Sequence, residues 1–159
     1  MSANRYRWPH RLAAIAASAL LAAPVHASGP KLPAPVHDDW SRECGSCHIA
    51  YPPRLLPAAS WQAIMQGLDR HFGSDATIDA SAASSIGAFL QANAGRDRGA
   101  SVPPVLRITE TRWFVHEHAK VPARTWNSAN VRNAANCGAC HEGATAGRFS
   151  EHDVRLPRP

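Results

Sequence analysis

Cys44-Gly45-Ser46-Cys47-His48 and Cys137-Gly138-Ala139-Cys140-His141 decide how this chain is read. In each, two cysteines three positions apart stand about one helical turn from each other, and a histidine follows the second at once. Sulfurs so spaced reach the two vinyl groups of one porphyrin and form thioethers, while the histidine is directed at the iron. C-x-x-C-H is the attachment sequence of a c-type haem. The sequence therefore implies two haem c groups, one on Cys44, Cys47 and His48 and one on Cys137, Cys140 and His141. These motifs use all four cysteines of the chain.

Paired C-x-x-C sequences also occur in zinc sites, vicinal disulfides and thioredoxin-like redox sites. A structural zinc site carries its second pair about 15–20 residues after the first, whereas here the pairs begin at positions 44 and 137. None of these alternatives asks for a histidine directly after the second cysteine.

The chain opens with the pattern of an export signal, expected over residues 1–27. Arg5, Arg7 and Arg11 come without an acid, Leu12 to Ala23 is apolar and alanine-rich, and Val25-His26-Ala27 offers a small-x-small cleavage site. That apolar run is shorter than the roughly 20 residues a membrane helix needs. Cleavage after Ala27 would leave a mature chain, residues 28–159, in the periplasm, with no membrane span. The full chain has 17 basic and 12 acidic residues, a net charge of +5; without the three leader arginines, 14 bases face 12 acids. Each ferric haem with ionised propionates adds about one negative charge. A holoprotein so near neutrality gives no reason to expect nucleic-acid binding.

A single domain is expected over 28–159, because only residues 142–159 follow His141. That is too little chain to enclose a haem alone, so upstream segments must help and the two haems should share one core. Gly29 to Pro35 is proline-rich and should be extended. Tyr51-Pro52-Pro53 to Pro57 reads as a structured loop over a haem face. Ser60 should cap a helix bearing Trp61, Ile64, Met65, Leu68 and His71 on one side and ending at Gly73. Asp75 or Thr77 should cap a second helix reaching about Asn93, with Ile78, Ala82, Ser85, Phe89 and Ala94 inward, Ile86 and Leu90 at its edge, and Gly95 as its stop. Residues 96–104 form a polar loop. A third helix should begin near Thr109 and carry Trp113, Phe114, His116 and His118, and a fourth, from about Ser128 or a little earlier, should lead into the second motif. No alternating strand pattern appears. The expected class is all-α, with short helices and long irregular segments around two covalently attached haems.

Five histidines, His37, His71, His116, His118 and His152, remain for two distal positions once the leader and the proximal ligands are set aside. Met65 is the sole methionine beyond the leader, so at most one iron could be His/Met ligated. Bis-histidine ligation of both is the simpler supply and implies low reduction potentials, since methionine raises them. His71 is the first distal candidate, because Gly73 lets the backbone turn away beside it. His118 is the second, four residues after Phe114 and so on the same helix face, with His116 as its competitor beside Trp113. His37 and His152 lie in polar termini and read as solvated, and Met65 reads as core. The tryptophans Trp40, Trp61, Trp113 and Trp126 read as packing against porphyrin and filling the core.

The order C-x-x-C-H, Tyr51-Pro52-Pro53, Leu55-Leu56-Pro57, Ser60-Trp61, His71-Phe72-Gly73, Ile108-Thr109-Glu110, Trp113-Phe114, C-x-x-C-H and Gly147-x-Phe149 resembles the small dihaem cytochrome c family. In bacteria that family is typically encoded beside an oxygen-binding monohaem cytochrome, the sphaeroides haem protein, and a membrane cytochrome b. The resemblance implies bis-histidine haems in an electron carrier that reduces the monohaem partner. It places the family's distal histidines on His71 and, after Trp-Phe, on His118, with His116 as the adjacent alternative.

Six-coordinate irons would make the chain an outer-sphere electron carrier and not an enzyme. Three other readings are compatible with two haem motifs: the small subunit of a periplasmic nitrate reductase, a dihaem peroxidase-like enzyme, and a gas or redox sensor. The last two need an open iron, which five spare histidines disfavour.

Overall fold

The computed structural model describes residues 31–96 and 103–157. The expected leader, residues 1–27, lies outside them, as do residues 97–102 of the expected loop.

His37 opens α1 (Asp38–Cys44): its Nδ1 accepts a hydrogen bond from the Trp40 amide at 3.2 Å, and Asp38 and Asp39 occupy the first turn, where the helix dipole favours acids. Its Nε2 pairs with Ser85 Oγ at 2.9 Å, and its ring lies 5.0 Å from that of Phe89. His37, expected to be solvated, is thus a helix cap docked on the next layer. Cys44 ends α1, so the first attachment sequence leaves a helix C-terminus through Gly45.

Pro52 and Pro53 are buried, and Pro53–Leu55 makes one 3₁₀ turn. Pro57 then caps α2 (Ala58–Gln66), its carbonyl accepting from the amides of Ser60 and Trp61. Ser60 is a buried residue inside the first turn and not the cap, because proline already holds the dihedral the chain needs on entry. The helix also ends sooner than its apolar spacing suggests. Gly67 closes it, Leu68–Arg70 tightens into a 3₁₀ turn, and the chain reverses at Phe72 (φ 50°) and Gly73 (φ 99°). The Ser74 amide donates to the His71 carbonyl at 3.0 Å across that reversal.

Asp79 caps α3 (Ala80–Ala92), its Oδ1 accepting from the Ser81 amide at 2.8 Å and the Ser81 hydroxyl at 2.6 Å. Asp75 and Thr77, the expected caps, instead close a local turn with each other. The buried centre of α3 is Ile86 and Leu90, at 0% and 1% exposure, while Ser85 is exposed. The stripe is therefore rotated from the expected one, since the two largest aliphatic side chains take the most enclosed places. They meet Trp40, Leu56 and Trp61 in the main core, with Met65 packed beside them. The Gly95 amide donates to the Leu56 carbonyl at 2.8 Å, so close to the Arg54 carbonyl that a side chain at 95 would collide with it.

In the second half, Thr111 caps α4 (Arg112–Glu117) through Oγ1 and the Phe114 amide at 3.1 Å. The helix expected from about Ser128 or a little earlier is reduced to a single turn, α5 (Ala123–Trp126), and no helix leads from it into the second motif. Asparagines there compete for the backbone: Asn133 Oδ1 accepts from the Ala135 amide at 2.9 Å, and Asn136 Nδ2 donates to the Val131 carbonyl at 3.1 Å. The second attachment sequence consequently rides on a 3₁₀ turn, Cys137–Ala139. Isolated bridges are the only strand-like pairings among the described residues. The fold is all-α, built of short helices and irregular chain.

Candidate haem-iron sites

Each attachment histidine faces one other imidazole. His48 and His71 have ring centroids 6.2 Å apart with planes 26° from parallel. His118 and His141 are 6.3 Å apart with planes 77° apart. Since an imidazole nitrogen lies about 1.15 Å from its ring centroid and a metal–imidazole bond is about 2.0 Å, two imidazoles on opposite sides of one ion have centroids about 6.3 Å apart. Both pairs match this spacing. Both planes of such a pair contain the ligand–metal axis, so either angle between them is compatible with it.

Hydrogen bonds orient two of the four rings. His48 Nδ1 lies 2.7 Å from the Ile49 carbonyl, and His118 Nδ1 lies 2.9 Å from the Phe114 carbonyl. An Nδ1–H donated to a carbonyl leaves Nε2 with its lone pair, which is the tautomer a metal takes. Phe114 also stacks on His118 at 4.0 Å, and Trp126 packs 5.9 Å away. His141 Nδ1 is buried without a hydrogen-bond partner. Burial lowers the affinity of His71 and His141 for protons, and the facing imidazoles His48 and His118 lower it further, so neutral, metal-ready rings are favoured.

The remaining histidines stand elsewhere. His116 is exposed on α4, its position two residues from His118 turning it away from His141, and His152 is exposed near the C-terminus. Of the tryptophans, Trp40 and Trp61 are core, Trp126 lies beside His118, and Trp113, expected inside, is 44% exposed. Tyr51, in the loop expected over a haem face, stacks on His48 at 4.7 Å, and Phe149, which helical spacing does not mark, lies 5.4 Å from His141. Their place in the sequence, three positions past the first motif and eight past the second, is the available signal.

The Cys44 and Cys137 sulfurs do not suit thiolate chemistry. Burial pushes the Cys44 and Cys137 thiols up to about 11, far from the range of a reactive or metal-binding thiolate. Among the described residues no three or more of His, Cys, Asp and Glu converge as a metal cage. Pairs of opposed imidazoles beside C-x-x-C-H sequences define instead a c-type cytochrome with two haems.

Comparison agrees. The dihaem cytochrome c family model matches residues 40–149. Two structures of the dihaem cytochrome c of Rhodobacter sphaeroides are each 42% identical, with TM-scores of 0.63 and 0.65, and their alignments cover 71% of this chain and 96% of theirs. The dihaem cytochrome of Shewanella baltica is 35% identical with a TM-score of 0.67, covering 75% of this chain and 91% of that one. No protein of curated function matches. This chain belongs to the dihaem cytochrome c family and carries two covalently bound haem c groups.

Proposed function

We propose that the protein is a periplasmic electron carrier, exported by the signal at residues 1–27, in which His48 with His71 and His118 with His141 close both irons. The two opposed imidazole pairs, at 6.2 and 6.3 Å, are the observation that carries this reading. When bound, each haem supplies a one-electron ferric–ferrous couple. With haem bound, His48 and His71 would hold one iron and His118 and His141 the other in both oxidation states, so that little would rearrange and no substrate site would open. Imidazole in all four positions favours low potentials, because no methionine contributes. Met65 supports this from its place against the main core.

Two attachment sequences, each with an imidazole facing its histidine, suit a shuttle. Its partners would be other redox proteins: a membrane cytochrome as electron source and a monohaem c-type cytochrome as acceptor. No helix among the described residues is long and apolar enough to cross a membrane. Reduced-state optical spectra under carbon monoxide and near-infrared spectra of the oxidised holoprotein test the closed-iron reading. Expected are no carbon monoxide adduct and no methionine-to-iron band. An adduct at either haem would transfer the protein to the enzymes or gas sensors.

A further inference from the structure

Tyr51 joins the two haem sites. Its ring stacks on His48 at 4.7 Å, with planes 29° from parallel. Its hydroxyl donates to the Ala135 carbonyl at 2.7 Å, across 84 positions of sequence. That carbonyl also accepts from the Cys137 amide at 2.9 Å, and Cys137 is an attachment residue of the second haem. A continuous line therefore runs from the proximal imidazole of one haem, through an aromatic ring and two hydrogen bonds, to the backbone that anchors the other.

The surroundings make this line more than one contact among many. The segment holding Ala135 has no regular helix to place it; short asparagine turns and the buried Val131 shape it, and the main core includes no residue from it. Tyr51 itself is fixed, since the buried Pro52 and Pro53 follow it and the Trp61 indole donates to the Pro53 carbonyl at 2.6 Å. A rigid element thus reaches across to a non-helical one and ties to the turn that bears Cys137.

We propose that Tyr51 is the positioning residue that couples the two haems, setting how the second attachment turn sits against the His48 side of the first and so the rate of electron exchange between them. It rests on the electron-carrier reading above. In that exchange the electron that leaves one iron arrives at the other, while Tyr51 keeps its proton and is not itself oxidised. One net hydrogen bond favours the joined arrangement over the parted one by about fivefold.

The test is exchange NMR on the haem methyl resonances of the half-reduced holoprotein, for wild type and Tyr51→Phe, with low-spin ligation spectra recorded on the same samples. The phenylalanine keeps the stack on His48 and deletes the hydroxyl. Expected is exchange slower by about fivefold, with both ligation spectra unchanged. Unchanged exchange overturns the proposal, including when the melting temperature falls, because a merely structural tyrosine would give that result. If Tyr51→Phe fails to retain both haems, 4-aminophenylalanine at position 51, which restores a donor, must recover loading and wild-type exchange; recovery of neither overturns it. An open, high-spin iron in the wild type would remove the carrier reading, while a Tyr51-dependent exchange would still support the joint.

Discussion

His116 and His118 stand two positions apart near the end of α4, and angular placement alone separates them. Two residues on a helix point to nearly opposite sides, so only one can meet His141. His118 does so, with its Nδ1 on the Phe114 carbonyl and its face on the Phe114 ring. Replacing His118 or His71 with alanine is expected to leave one haem five-coordinate, seen as a high-spin optical spectrum and carbon monoxide binding at that haem. His116→Ala should change neither. The sequence ranks His118 first from its spacing to Phe114 but leaves His116 open beside Trp113, because spacing says which residues share a face and not which face meets the second attachment turn.

Elements in this fold are held by caps and single buried bonds more than by length. The Trp61 indole N–H donates to the Pro53 carbonyl at 2.6 Å in a buried setting. Trp61→Phe leaves that carbonyl with only the longer bond from the Leu56 amide at 3.4 Å and should cost about 1 kcal/mol in denaturant unfolding of the holoprotein. At the start of α3 the Ser81 hydroxyl and amide hold the Asp79 carboxyl below its ordinary value of 3.8. The folded state thus binds that proton less readily than the unfolded chain, so the stabilisation is present above this value and is lost as the pH falls below it. Asp79→Asn keeps the cap but cannot titrate, so its melting temperature should fall less steeply than wild type as the pH is lowered through and below 3.8. Helix existence was legible from apolar spacing for α2, α3 and α4. Ends and phases were less so: Gly67 stopped α2 nearly two turns before the expected end at Gly73, Asp79 displaced two plausible caps, and asparagine side chains removed the helix expected to lead into the second motif.

Across the whole molecule, the two attachment sequences lie on different local structures, one leaving a helix and one on a 3₁₀ turn, yet both deliver an imidazole to a second imidazole. Their cofactor was legible because thioether chemistry is local: two sulfurs and a ligand must fall within five residues. What joins the sites was not legible. Tyr51 meets Ala135, and the turn at Gly147 is packed against Leu32, through contacts that span most of the chain. No periodicity records such pairings. The main core belongs to the first half, whereas Phe114, Val131 and Ala144 are the buried apolar residues described after it. A covalently attached macrocycle supplies the apolar surface that so small a set lacks.

Low-temperature electron paramagnetic resonance of the fully oxidised holoprotein tests the closed bis-imidazole irons most directly. Two low-spin signals of equal spin count are expected: a resolved rhombic spectrum from the near-parallel rings of His48 and His71, and a strongly anisotropic low-field signal from the near-perpendicular rings of His118 and His141. A high-spin ferric signal carrying the weight of one haem would contradict the closed irons, and with them the electron-carrier function.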